Sequence, residues 1–140
     1  MFSIRTRMFE TNSSSSHCFI LPPNKAQKIP KEVKLSKLMR VDYISDRHPS
    51  IEDRMAFMYN LAEENGYASA YLQYLASKGV NVINDTGTEA EFEDYMFGFN
   101  MNESDLSQFL FNPDADYINT PEWSERQSIP KDYTVIDKSY

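Results

Sequence analysis

The chain has 140 residues, 41% of them hydrophobic and 14% aromatic, with a net charge of −7. That length fits one domain with a core of its own, and nine Phe, nine Tyr and Trp123 supply large apolar surfaces to fill it. A single cysteine, Cys18, excludes an internal disulfide, and one Cys with two His excludes an ordinary four-ligand zinc site.

Residues 2–8 alternate, with Phe2, Ile4, Thr6 and Met8 on one side and Ser3, Arg5 and Arg7 on the other. This is the pattern of a half-buried strand. The N-terminus has no long apolar run, so neither a signal peptide nor a membrane span is expected, and the chain is expected in a reducing cytoplasm. Eight polar residues, Glu10–His17, precede the apolar run His17–Leu21, which Pro22-Pro23 ends. Strand, polar loop and strand predict an enlarged hairpin. Residues 22–40 are basic. Pro30 makes their first half irregular, and Val33–Met39 reads as a strand or a short helical turn. Arg40–Ser45 is a further strand candidate, and Asp46–Pro49 a turn.

Ser50-Ile-Glu-Asp53 has capping-box spacing. Ile51, Met55, Met58 and Leu61 follow on one helical face, and Asn65-Gly66 stops the helix. A second helix is expected from about Tyr67 to Lys78, capped by Gly79, then a short strand over Val80–Asn84. Thr88-Glu-Ala-Glu91 opens a third helix running to about Phe97. Asn102-Glu-Ser-Asp105 caps a fourth, which the apolar triplet Phe109-Leu-Phe plugs into the core and Asn112-Pro113 ends. Asp116–Thr120 and Tyr133–Ile136 are strand candidates. The whole predicts an α+β fold: a small antiparallel sheet, built from the N-terminal hairpin and later strands, packed with three or four short helices in a single domain.

Charge is distributed unevenly. Residues 1–49 carry nine Lys/Arg against four Asp/Glu, and residues 50–140 five against seventeen. The acidic balance disfavours direct nucleic-acid binding and suits a protein partner with a basic surface. Glu89, Glu91, Glu93 and Asp94, on the third predicted helix, form a candidate acidic contact face. The same cluster also fits a solvated helix face.

The polar run is the first place to look for a ligand. Arg5, Arg7, Glu10, Thr11, Asn12, Ser13, Ser14, Ser15, Ser16 and His17 together offer two cations, several hydroxyls and two proton carriers, enough to hold an anion or nucleotide. Small polar side chains also hydrogen-bond their own backbone in ordinary turns. The run has neither the glycines and lysine of a phosphate-binding loop nor the flanking glycines of a nucleophile elbow. No cofactor motif or metal-ligand set is read. Cys18 reads as a buried small hydrophobe, His48 as solvent-facing, and Met55, Met58, Tyr59 and Tyr71 as core.

Arg7-Met-Phe-Glu-Thr-Asn-Ser-Ser-Ser-Ser-His17 resembles the opening signature of small bacteriophage-encoded proteins, in which a Phe-Glu-Thr-Asn-Ser-Ser-Ser-x-His stretch follows a short basic strand. Phe109-Leu-Phe-Asn-Pro-Asp114 is similar to a second feature of that group. The resemblance implies a phage origin and carries no catalytic residues with it. It leads to the expectation of a non-enzymatic accessory protein in the host cytoplasm that binds a host or phage protein, as an inhibitor of host defence or other host machinery. A small anion- or nucleotide-binding enzyme with its site at Glu10–His17, and a minor virion component, are the alternatives.

Overall fold

A computed structural model describes residues 16–40, 47–87, 101–119 and 121–139. The expected strand over residues 2–8, the strand after Arg40 and the helix opened by Thr88 lie outside these residues. Within them the fold is α+β, as expected. Its strands are β1 (Ser16–Leu21), β2 (Glu32–Lys34), β3 (Asn81–Ile83), β4 (Asp116–Asn119) and β5 (Thr134–Ser139). Its helices are α1 (Leu35–Leu38), α2 (Ile51–Glu64), α3 (Ala68–Ser77), α4 (Glu103–Phe111) and α5 (Trp123–Gln127).

The antiparallel sheet has the order β4-β1-β5. Cys18 lies opposite Ile118 on one side and Asp137 on the other, so both edges of β1 are taken by strands from the C-terminal quarter of the chain. Those strands are the later ones the sequence proposed. A second sheet pairs β2 with β3 in parallel, Val33 opposite Val82. The segment read as strand or helical turn is both in succession, β2 running directly into α1.

Side chains alternate across β1 as the pleat requires. Phe19 and Leu21 enter the main core with Tyr117 and the helices, while Cys18 and Ile20 join Ile118 on the opposite face, where Ile129 and Tyr133 cover them. Phe109 packs edge-on against Phe19 with centroids 4.8 Å apart, so the apolar end of α4 plugs the core as its sequence suggests.

α2 departs from its sequence pattern. Apolar spacing predicts one buried face, yet every residue from Arg54 to Ala62 is buried, because α1, α3 and α4 surround the helix. Its ends follow the sequence closely. Ser50 Oγ accepts the Asp53 N–H at 3.1 Å. Gly66 (φ 81°) and Gly79 (φ 93°) end α2 and α3 in the left-handed region, and Tyr67 N–H and Val80 N–H reach back to the Ala62 and Leu75 carbonyls. Each of these residues, Tyr67 and Val80, is buried just past its glycine.

Burying α2 on all sides puts Arg54 inside the protein. Its guanidinium donates to four main-chain carbonyls: Nε to Pro49 at 2.9 Å, Nη1 to Phe109 at 3.0 Å and to Asn112 at 2.6 Å, and Nη2 to Ala115 at 3.0 Å. Asn112 and Phe109 belong to the C-terminal end of α4, where carbonyls lack helical partners and the dipole favours a cation. Arg54 therefore fastens the start of α2 to the end of α4 and to the entry of β4. Burial lowers the proton affinity of the guanidinium, and the charges of Asp116 and Asp114 oppose that loss.

Removing this side chain leaves several buried carbonyls unpaired. Arg54→Ala is expected to lower unfolding free energy by about 3 kcal/mol or more in urea titrations, a large part of a typical domain's stability. Arg54→Lys should recover less than half of the loss, because an ammonium cannot reproduce the planar fork.

Candidate functional site

Of the polar run, the described residues include only Ser16 and His17. Arg5, Arg7, Glu10, Thr11, Asn12, Ser13, Ser14 and Ser15 lie outside them, as do Glu89, Glu91, Glu93 and Asp94. Ser16 begins β1 opposite Ser139, partly exposed. His17 is the next residue in the strand and points into the core, 6% exposed.

His17 sits among aromatic rings. Its ring centroid is 5.5 Å from that of Phe57 and 5.9 Å from that of Tyr117, and Nδ1 shares a hydrogen bond of 2.5 Å with the Tyr117 hydroxyl. Burial lowers the imidazole pKa from its ordinary value of 6.5 and pushes the Tyr117 phenol well up. At neutral pH both groups are uncharged, and this is the arrangement of a satisfied core histidine. On the opposite sheet face, burial and the charge of Asp137 raise the Cys18 thiol, which suits the buried small hydrophobe read from the sequence.

Next to Tyr117 lies the densest polar constellation. Asp116 Oδ2 accepts from Arg47 Nε at 3.0 Å and from Arg47 Nη2, and Oδ1 accepts the backbone N–H groups of His48 and Tyr117, each at 2.8 Å. Burial raises the Asp116 carboxyl, but these bonds and the charge of Arg47 outweigh it, and the net shift is downward. Four donors fill the roughly four lone-pair sites of a carboxylate, so no acceptor is left to work on a substrate. The clamp has a local task. His48 precedes Pro49 with φ at 56°, a backbone conformation uncommon outside glycine, and Asp116 holds its N–H there. The imidazole of His48 itself is exposed, as its sequence setting suggests.

The basic and acidic parts of the chain thus meet in space. Arg47 contacts Asp116, Asn24 Nδ2 donates to Asp114 at 3.0 Å, and the Ser36 N–H donates to Asp85 at 3.0 Å.

A different feature stands on the outer surface. Trp123 opens α5 with 76% of its surface exposed, the most exposed large hydrophobic residue described. The helix under it is braced twice: the Glu122 N–H donates to the Glu125 carboxylate at 3.2 Å, and Arg126 grips Asp137 of β5 with two bonds of 3.2 and 2.6 Å. Val135, also exposed, shares a strand face with Asp137.

Sequence reading missed Arg54, Arg47, Asp116 and Trp123. Arg54 left a readable trace, a lone cation within the apolar stripe of Ile51, Met55 and Met58. Arg47 and Asp116 had no local signal, since they pair across 69 positions of the chain, and Trp123, counted with the aromatics available to fill the core, lies outside it. Among the described residues no three His, Cys, Asp or Glu side chains converge to hold a metal ion, and no helix is long and apolar enough to cross a membrane. Compared with protein-family models, curated proteins and solved structures, the chain matches none.

The buried imidazole gives stability a pH dependence. The folded pKa of His17 lies below the unfolded one, so between the two the unfolded chain holds the extra proton. Stability is full above the unfolded value and falls as pH drops below about 6.5, by at most about 1.4 kcal/mol per unit. Asp116 adds a separate loss only below the ordinary carboxylate value of 3.8. Urea midpoints between neutral pH and about pH 5 should show the first slope, and His17→Gln should flatten it.

Proposed function

We propose that the chain is a phage-encoded accessory protein that works without enzymatic chemistry in the host cytoplasm. It binds a host or phage protein, as an inhibitor of host machinery. The resemblance of residues 7–17 to the phage signature motivates the origin. The observation that carries the binding role is Trp123.

Single exposed hydrophobic residues are ordinary on protein surfaces, but an indole left in water holds a large burial gain that a covering partner would recover. Tryptophan also loses little conformational entropy on binding and is among the residue types that dominate interface energetics. Here the ring stands on a helix fixed by the Arg126–Asp137 pair, and a preformed anchor lowers the ordering cost of association. Val135 adds apolar area on the strand that the helix is tied to. The filled lone pairs of Asp116 and the core position of His17 are consistent with a binding rather than a catalytic protein. These two residues hold the scaffold together and offer no reactive group to solvent.

Affinity purification from expressing host cells tests the reading. The wild-type chain should retain a specific partner, and Trp123→Ala should lower its recovery by at least tenfold, corresponding to about 1.4 kcal/mol or more. The same substitution should change folding stability by no more than about 0.5 kcal/mol, because the side chain is exposed. Equal recovery with both proteins removes Trp123 from the interface, and recovery of no partner above background rejects the binding role.

A further inference from the structure

Between Pro22 and Arg40 every third residue is basic from Lys25 onward: Lys25, Lys28, Lys31, Lys34, Lys37 and Arg40. All six are exposed, and none takes part in the ion pairs found among the described residues. Glu32 is the one acid within the run.

The residue preceding each cation tends to be an anchor, so the threefold period has two faces. Asn24 receives two hydrogen bonds from Asn112 Nδ2, at 3.1 Å to its carbonyl and 3.0 Å to its side chain. Gln27 Oε1 accepts from the Ser107 hydroxyl at 3.0 Å. Val33 is buried, and Ser36 is held by Asp85. The main chain is pinned as well: the Lys28 N–H donates to the Phe111 carbonyl at 2.7 Å, and the Asn81 N–H donates to the Lys31 carbonyl at 2.9 Å. The bordering acids Asp114 and Asp85 accept from the neutral side chains of Asn24 and Ser36 and keep their charge, and the charge of Lys34 helps hold the Asp85 carboxyl down.

A main chain pinned at these points thus carries six exposed cations, from the extended segment before β2 through β2 to the turn after α1. In its extended part, successive rungs stand about 9–10 Å apart, and Lys25 to Lys34 spans at most about 30 Å. We propose that this ladder is a sequence-independent binding site for the phosphate backbone of double-stranded nucleic acid. Five of the six cations are lysines, which serve phosphates as point charges and are depleted in protein–protein interfaces. No aromatic residue lies between 22 and 40, so the strip has no platform for stacking unpaired bases, which favours a duplex over a single strand. The net charge of −7 disfavours a general nucleic-acid binder, but it averages over a surface much wider than the screening length of about 8 Å at physiological salt. The ladder shares no residue with the Trp123 surface. A protein that used both would suit a partner that is itself bound to nucleic acid.

The test is fluorescence anisotropy of the full chain with a labelled mixed-sequence duplex of about 30 base pairs, titrated from about 20 to 200 mM salt. Four to six phosphate contacts predict a slope of log K against log salt of about −4 to −5. Lys28→Glu with Lys31→Glu should weaken binding at about 50 mM salt more than tenfold and flatten the slope by about two. Lys131→Glu with Lys138→Glu, outside the strip, should change it less than about twofold. Circular dichroism should show both variants folded, since Lys28, Lys31 and Lys131 are exposed and Lys138 is half-buried on the edge strand β5. Saturable binding with this pattern supports the site. The proposal is overturned if no saturable binding occurs at the lowest salt, or if the strip variant binds like wild type. It is equally overturned if poly-glutamate displaces the duplex as well as unlabelled duplex does, charge for charge, which would assign the strip to an acidic protein.

Discussion

Arg54 is the constraint on which the remaining architecture rests. A buried guanidinium is tolerable only where its donors are satisfied, and here main-chain carbonyls from three separate stretches supply the acceptors. Two of these carbonyls lie at the C-terminal end of α4, and the Asn112 carbonyl also accepts the Ala115 N–H at 3.1 Å. The charge and these acceptors satisfy each other, and in doing so fix how α2 and α4 meet. Phe109 lies under the guanidinium, 5.9 Å from its centre, and also packs against Phe19 of β1. The polar knot and the aromatic core are therefore one assembly.

The chain after α4 extends that logic. Asn112 caps the turn and reaches Asn24, Ala115 meets Arg54, and Asp116 clamps Arg47 and His48. Four residues after Asn112, β4 is already in register with β1, and Tyr117 closes over His17. Residues that look like catalytic material by type, a histidine, an aspartate, a tyrosine and two arginines, are consumed in joining segments that lie far apart in sequence. His17, Asp116, Tyr117, Arg47 and Arg54 each bond to another segment of the fold.

Function, on this reading, belongs to the outside of the molecule. Trp123 and Val135 ride on an α5–β5 unit held by an ion pair, and the six cations from Lys25 to Arg40 ride on a main chain pinned to α4, β3 and Asp85. In both places a firmly held scaffold presents side chains that the fold does not need. That combination lowers the cost of ordering an interface and separates binding residues from stability.

Much of the local structure was legible in the sequence because its causes are local. Ser50 and Asn102 cap their helices through contacts three residues away, Gly66 and Gly79 end theirs through backbone freedom, and the apolar run His17–Leu21 before Pro22-Pro23 marks a strand. The α+β class, the buried Cys18 and the core role of Phe109–Phe111 follow from the same short-range patterns. The rest was set by contacts between distant residues. The sequence put His17 in a candidate ligand site, but packing against Phe57 and Tyr117 turned it into the core. It described α2 as one-faced, and only the arrangement of three neighbouring helices buried it all round. It recorded an excess of positive charge before residue 50, whereas only the tertiary contacts of Asn24, Gln27, Val33 and Ser36 hold that segment against the fold with its six cations exposed. Caps, turns and apolar runs are settled within a few residues of chain. Burial and pairing depend on what arrives from elsewhere, and this sequence does not announce those meetings in advance.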